Sequence, residues 1–148
     1  MDMALHKNVD APADIVWAII TDLDRSPEII DGIDSIERLD TGSGFDVGTR
    51  WRETRTMFGR QATEELEITA VEPGTSYTVE ADGHGAHYVA TMSLEPVGDR
   101  TRLNMTFEAQ PDGLVSKVMA NTLGRLMLGS TRKALQRDLD DIASAATS

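Results

Sequence analysis

Residues 75–110 read TSYTVEADGHGAHYVATMSLEPVGDRTRLNMTFEAQ, and their spacing decides the architecture. Apolar side chains recur at every second position: Tyr77, Val79 and Ala81, then Tyr88, Ala90, Met92 and Leu94, then Leu103, Met105, Phe107 and Ala109. The intervening positions are mostly Thr, Ser, Glu and Asp. Successive side chains of a strand point to opposite faces, so a period of two marks strands with one face buried and one face wet. Glycines at Gly83, Gly85 and Gly98 punctuate the runs, as hairpin reversals do. The stretch therefore predicts three successive antiparallel strands at 75–83, 86–96 and 100–110.

The same pattern extends backwards to Ile33. Strands are expected at 33–40, 48–58 and 60–72, divided at Gly42/Gly44, Gly59 and Pro73-Gly74. Met3 to Val9 supplies a first strand, which makes seven. Between Val9 and Ile33 the spacing is helical. Ala11-Pro12-Ala13-Asp14 places proline at the first helical position and an acid near the positive helix end, giving a helix from Pro12 to about Thr21. Ile15, Val16, Ile19 and Ile20 form its apolar face, with Trp17 at the edge. Ser26-Pro27-Glu28 repeats the start signal for a short helix through about Asp31, closed by Gly32. Beyond Pro111-Asp112-Gly113, Val115, Met119, Leu123, Leu126, Met127, Leu135, Leu139 and Ile142 follow one side of a helix. About 30 residues would span about 45 Å, enough to cross a domain. Lys117, Arg125, Arg132, Lys133 and Arg137 mark its wet side. The expected fold is α+β: a curved antiparallel sheet of seven strands, with two short helices, wrapped around a long C-terminal helix.

The 148 residues suit one domain spanning 1–148. The chain has no cysteine, which removes disulfides, thiolate nucleophiles and cysteine-based zinc sites together. Net charge is −11, which disfavours nucleic acid as a partner. Residues 1–111 hold 9 basic and 21 acidic residues, whereas residues 112–148 hold 5 and 4, so the last segment is a different kind of element. No apolar run approaches the ~20 residues of a membrane span, and no basic-then-apolar leader opens the chain. A cytoplasmic protein without integral membrane association is the simplest expectation. The sequence leaves the oligomeric state open.

Reading the strands inward reveals where chemistry could sit. On the strand at 48–58, the parity of Trp51 and Met57 carries Glu53 and Arg55 to the apolar side. On the next strand Glu64 shares a face with Leu66 and Ile68. Charged groups among apolar neighbours are costly unless paired or wetted. These three therefore mean either a partly hydrated cavity or a satisfied ion-pair network near a sheet edge. Tyr77 and Tyr88 could aim their hydroxyls at a ligand or supply core area. An internal cavity is expected, bounded by Trp51, Leu66, Tyr77, Val79, Met92, Met105 and Phe107 from the sheet and by Met119, Leu123 and Leu126 from the helix. Glu53 and Glu64, on adjacent strands, could work as acid and base. His84 and His87 would point to opposite faces of a strand and make a poor metal pair. Gly42-Ser43-Gly44 lacks the following helix of a dinucleotide site, and no Gly-x-Ser-x-Gly elbow is present. No metal and no cofactor is expected.

Three pieces carry a family resemblance: Val9-Asp10-Ala11-Pro12-Ala13-Asp14-Ile15-Val16-Trp17, then Asp22-Leu23-Asp24-Arg25-Ser26-Pro27, then Gly48-Thr49-Arg50-Trp51 leading to Gly59-Arg60. With the order of elements, they resemble the START-like or SRPBCC superfamily, in its polyketide cyclase/dehydrase branch. The resemblance implies a helix-grip fold with a deep apolar cavity between sheet and C-terminal helix. It implies as partner a small hydrophobic or amphipathic ligand, lipid-like or aromatic polyketide-like. Some members only bind. In others, polar cavity groups assist aldol closure and dehydration without a cofactor, a role that Glu53, Arg55, Glu64 and Tyr88 could imitate. A protein-interaction domain whose cavity is filled by its own side chains is a third expectation.

Overall fold

The computed structural model describes residues 2–42, 44–57, 59–83, 86–111 and 131–148. β1 is Asp2–Val9, α1 is Ala13–Ile20, and a 3-10 turn at Leu23–Arg25 runs directly into α2, Ser26–Ile29. Six strands follow: β2 Ile33–Arg38, β3 Arg50–Met57, β4 Arg60–Glu72, β5 Ser76–Gly83, β6 Ala86–Val97 and β7 Arg100–Pro111. A helix over 131–146, here α3, ends the chain. The earlier part of the expected C-terminal helix lies outside the described residues.

The seven strands form one antiparallel sheet in the order β1-β7-β6-β5-β4-β3-β2. Every neighbour from β2 to β7 is a hairpin partner, whereas β1 pairs with the last strand. The chain must therefore cross from one sheet edge to the other between β1 and β2, and α1 and α2 make that crossing. Val9, Val16, Leu103 and Leu139, all fully or almost fully buried, fasten α1 and α3 to β1 and β7. A smaller cluster of Leu23, Trp51 and Ile68 fastens the 3-10 turn to β3 and β4.

Edge strands need cover, because unpaired backbone groups invite pairing with other chains. At β1 the cover comes from α3: Arg132 Nη1 donates to the Ala4 carbonyl at 3.3 Å and Gln136 Nε2 to the His6 carbonyl at 3.4 Å. Lys7 adds an ion pair to Asp140 at 3.1 Å. Arg132, expected on the wet side of the helix, thus works at a sheet edge.

Several boundaries move for identifiable reasons. Pro12 is extended, with ψ 159°, and so precedes α1 rather than starting it; its carbonyl accepts from the Ile15 and Val16 amides. α2 begins before its expected start, as the 3-10 turn at Leu23, and ends at Ile29 rather than Asp31. Ser26 is not a cap, since its hydroxyl donates backwards to the Asp22 carbonyl at 3.1 Å. The strand expected from 48 begins at Arg50, because Gly48 adopts φ +96°, a left-handed turn conformation that ends extended structure. A bulge in β4 between Ile68 and Ala70 shifts the register by one. Parity then switches, so Val71 rather than Ala70 stands opposite Tyr77 and joins the core side.

Leu139 is 0% exposed, whereas Val97 is 58% exposed. Leu139→Ala should therefore cost about 2–5 kcal/mol in urea unfolding, and Val97→Ala less than about 0.5. Near-equal values would show that α3 is not part of the core.

Candidate functional site

Between the concave sheet face and the helices lies a cavity of about 290 Å3, at the lower end of the ~300–1,000 Å3 usual for ligand sites. From the sheet it is lined by Trp51, Leu66, Tyr77, Val79, Met92, Met105 and Phe107, the described residues expected there from strand parity. Met119, Leu123 and Leu126, the expected helix wall, lie outside the described residues. Residues not foreseen complete the lining: Ile19, Leu23, Ile29 and Ile30 from the crossing segment, Phe45 from the β2–β3 loop, and Leu135 and Leu139 from α3. The crossing segment's contribution follows from topology, which periodicity along one chain segment does not reveal.

Glu53, Arg55, Glu64 and Tyr88 also line the cavity. The β3–β4 register sets Trp51 opposite Leu66 and Glu53 opposite Glu64, which brings both acids to one face. Glu53 is held on both oxygens: Oε1 accepts from the Trp51 indole at 3.2 Å and Oε2 from Arg55 Nε at 2.7 Å. Arg55 then reaches across to α3, where Nη2 donates to Asp138 Oδ2 at 2.7 Å. The result is a chain Trp51–Glu53–Arg55–Asp138 that ties the sheet to the helix. Among the described residues no buried side-chain nitrogen or oxygen lacks a hydrogen-bond partner. For Glu53 and Arg55 the network is satisfied, and both residues line the cavity.

Asp138 was not foreseen. Its signal is helical phase, since it follows Leu135 by three and precedes Ile142 by four, placing an acid on the apolar stripe. It is 5% exposed. Burial pushes its carboxyl above the ordinary range, Arg55 pulls the other way, and Glu53 adds repulsion. Burial is the largest of these influences, so the upward direction prevails. Burial alone would lower the pKa of Arg55, but the charges of Asp138 and Glu53 outweigh it and keep the guanidinium protonated.

Two tyrosines stand differently. Tyr77 is fixed by edge-on contacts to Trp17, 6.3 Å between ring centroids, and to Phe45, 4.9 Å. Burial, then the negative charges of Glu53 and Asp138, raise its pKa, so the hydroxyl stays a neutral donor. Tyr88 stacks on Phe107 at 5.8 Å, and burial followed by the charge of Glu64 raises its pKa too.

His87 belongs elsewhere. It faces Asp82 across β5–β6, on the parity opposite to Ala81 and Tyr88. Its Nδ1 is 2.6 Å from Asp82 Oδ1 and its Nε2 2.8 Å from Glu80 Oε1, contacts that raise its pKa, Glu80 first. It serves the outer face of the sheet rather than the cavity. His84 lies outside the described residues.

A curved seven-stranded antiparallel sheet gripping a C-terminal helix over a cavity of this kind defines a helix-grip domain of the START-like (SRPBCC) superfamily. The chain belongs to the family described as polyketide cyclase/dehydrase and lipid transport, whose model matches residues 2–146. The Zhui aromatase/cyclase from Streptomyces sp. R1128 superposes with a TM-score of 0.83 at 15% identity, covering 99% of this chain and 93% of that one. The ginseng major latex-like protein 151 from Panax ginseng gives 0.79 at 15% identity, over 97% and 95% of the two chains. The di-domain aromatase/cyclase BexL gives 0.74 at 15% identity, covering 96% of this chain and 46% of its own. A search of curated proteins finds no match. Among the described residues no helix is long and apolar enough to cross a membrane.

The shared guanidinium makes the network non-additive. Glu53→Gln or Asp138→Asn alone leaves Arg55 with one carboxylate, so each should cost about 1–2 kcal/mol. The double variant strands a buried cation and should cost more than the two together, about 3 kcal/mol or more. Additive melts would dissolve the cluster as a unit. The pH dependence has a defined sign. A folded-state pKa raised above the unfolded value gives stability that is present below the unfolded pKa and lost as pH rises through the folded one. The Asp138 carboxyl should make stability fall as pH rises from the ordinary aspartate range, near 3.8. The decline should be shallower in Asp138→Asn when melts are compared across that range.

Proposed function

We propose that the protein binds a small hydrophobic or amphipathic molecule, lipid-like or aromatic polyketide-like, inside the cavity between sheet and α3. One observation carries this reading: a largely apolar cavity of about 290 Å3 with the charged cluster Glu53–Arg55–Asp138 at its wall. Apolar lining supplies affinity through area removed from water, and a few fixed polar groups supply orientation. Tyr77 and Arg55 are the donors suited to a carbonyl or hydroxyl of the ligand, while Trp51, Leu66, Met92, Met105 and Phe107 hold its apolar body. The likeness to a protein titled aromatase/cyclase and to a major latex-like protein agrees with either holding or transforming such a ligand.

A second reading has its own support. Two carboxylates flank one cation, and burial raises the pKa of the Asp138 carboxyl. On that reading the protein is a cofactor-independent cyclase or dehydratase. Arg55 steadies a developing enolate, Asp138 or Glu53 moves the proton, and Tyr77 donates to a carbonyl. Glu64, beside Glu53 on β4, and Tyr88 on β6 would orient the remainder of the chain. General acid–base catalysis contributes about 10²–10⁴-fold, within reach for an already reactive polyketone.

The protein has two tryptophans, and Trp51 lines the cavity. Small molecules captured from cell extract should co-purify with the protein and be identified by mass spectrometry. Titrating them back should change the tryptophan emission, and the change should be largely lost in Trp51→Phe, where Trp17 remains. A ligand-free protein whose emission responds to no acyl or polycyclic probe would defeat the reading. If instead a poly-β-ketone model substrate is cyclised, Asp138→Asn should lower kcat by about 10²-fold or more while Leu66→Ala mainly raises KM.

A further inference from the structure

Among the described residues five charged side chains border the cavity, and four of them are acids. Glu80 engages His87 at 2.8 Å on the outer face of the sheet. The other acids are Glu53 on β3, Glu64 on β4 and Asp138 on α3, and the one cation is Arg55. No described lysine or histidine joins the lining. Arg55 brings no surplus positive charge, because its Nε donates to Glu53 and its Nη2 to Asp138, each at 2.7 Å. Even with Asp138 protonated, Glu53 alone matches the guanidinium.

Two phenols in the wall register the sign of the resulting field, since each oxygen experiences what a ligand oxygen beside it would. Tyr77 is held neutral by burial first, then by the negative charges of Glu53 and Asp138; Arg55 opposes them and is the smallest of these influences. Tyr88 is held neutral by burial, then by the charge of Glu64. Both places favour a neutral oxygen over an anionic one. Burial penalises an ion of either sign, and the carboxylates add a penalty that falls on anions alone. An uncharged carbonyl or hydroxyl avoids both costs and can still accept a hydrogen bond from Tyr77 or Arg55.

We propose that the cavity selects its ligand by charge: it takes a polar end that is an uncharged carbonyl or hydroxyl and rejects the ionised form of an acid. The selection rests on the binding reading above and narrows it. Amphiphiles that end in a carboxylate or phosphate are excluded, whereas alcohols, ketones and phenols remain. A carboxylic acid enters only in its neutral form, carrying its proton with it, so its affinity falls as pH rises above its own pKa.

Titrations with decanol and decanoic acid, which differ only in the polar end, test this through tryptophan emission. Salt at about 0.5 M shortens the Debye length to about 4 Å and screens repulsion by the chain as a whole. Between about pH 6 and about pH 8 decanoic acid is ionised and should lose about tenfold in affinity per pH unit relative to decanol. At about pH 8 it should bind at least tenfold more weakly than decanol. Glu53→Gln removes an inward carboxylate and should narrow that gap about threefold or more. Glu95→Gln removes the same charge from an exposed position on β6 and should leave the gap unchanged. Decanoate bound as tightly as decanol at about pH 8 overturns charge selection and leaves the cavity reading standing. A gap that Glu53→Gln does not narrow, or that Glu95→Gln narrows equally, does the same. Binding of neither probe overturns the cavity reading, and charge selection with it.

Discussion

A guanidinium that leaves water must find compensation, because the effective penalty for burying an ion is several kcal/mol even after relaxation. Arg55 finds it twice, in Glu53 beside it on β3 and in Asp138 across the cavity on α3, each at 2.7 Å. The second contact spans 83 residues of sequence and joins the two layers of the fold. Hydrophobic contacts such as Leu139 on β7 hold α3 to the sheet, but they are non-directional. The Arg55–Asp138 pair adds direction. It fixes which helix face meets β3, and so the helix phase that turns Leu135 and Leu139 towards the cavity. Ion pairs of this kind are weak sources of stability, and their better-attested role is to specify one arrangement among similar ones.

The same demand explains why the interior is not simply filled. Interiors pack at about the density of organic crystals, so a 290 Å3 space beside a core containing Ile68, Leu103 and Leu139 at 0% exposure is not a packing accident. The sheet curves, and the β4 bulge at 68–70 turns Val71 inward against Tyr77. The chain between β2 and β3 then folds back so that Phe45 meets Tyr77 and Trp51. These aromatic contacts wall the cavity without collapsing it, since rings keep their width where aliphatic side chains would interdigitate. The charged cluster does likewise, because apolar groups cannot be packed onto it without stripping its remaining solvation.

Most of the fold could be read from the chain because a one-sided sheet writes its faces into alternate residues. Tyr77, Val79, Met92 and Phe107 fell on the cavity side for that reason, and Glu53, Arg55 and Glu64 followed by parity alone. What could not be read this way depended on contacts between distant segments. The inward role of Ile19, Leu23 and Ile30 required knowing that β1 lies beside β7, which forces α1 and α2 across the concave face. Phe45 sits in a loop with no period to read. Gly48 and the Ile68–Ala70 bulge shifted a boundary and a register that alternation presumes to be uninterrupted. Asp138 was legible in principle, as an acid on an apolar helix stripe, but with Asp140 and Asp141 beside it an acidic run reads as solvated surface.

The pairing of one cation with two acids also bears on why binding and catalysis are hard to separate in this architecture. To hold a carbonyl ligand, the cavity needs a donor that does not lose its proton, which Arg55 and the neutral phenol of Tyr77 supply. To move a proton it needs a carboxyl with raised proton affinity, which burial gives Asp138. The structural arrangement that satisfies the fold thus carries acid–base capacity as a by-product. Whether that capacity is used then depends on the ligand: a saturated acyl chain offers no acidic C–H to the carboxylates, whereas a poly-β-ketone places one between two carbonyls. The substrate's own chemistry, rather than any additional side chain, would separate a carrier from a cyclase built on this site.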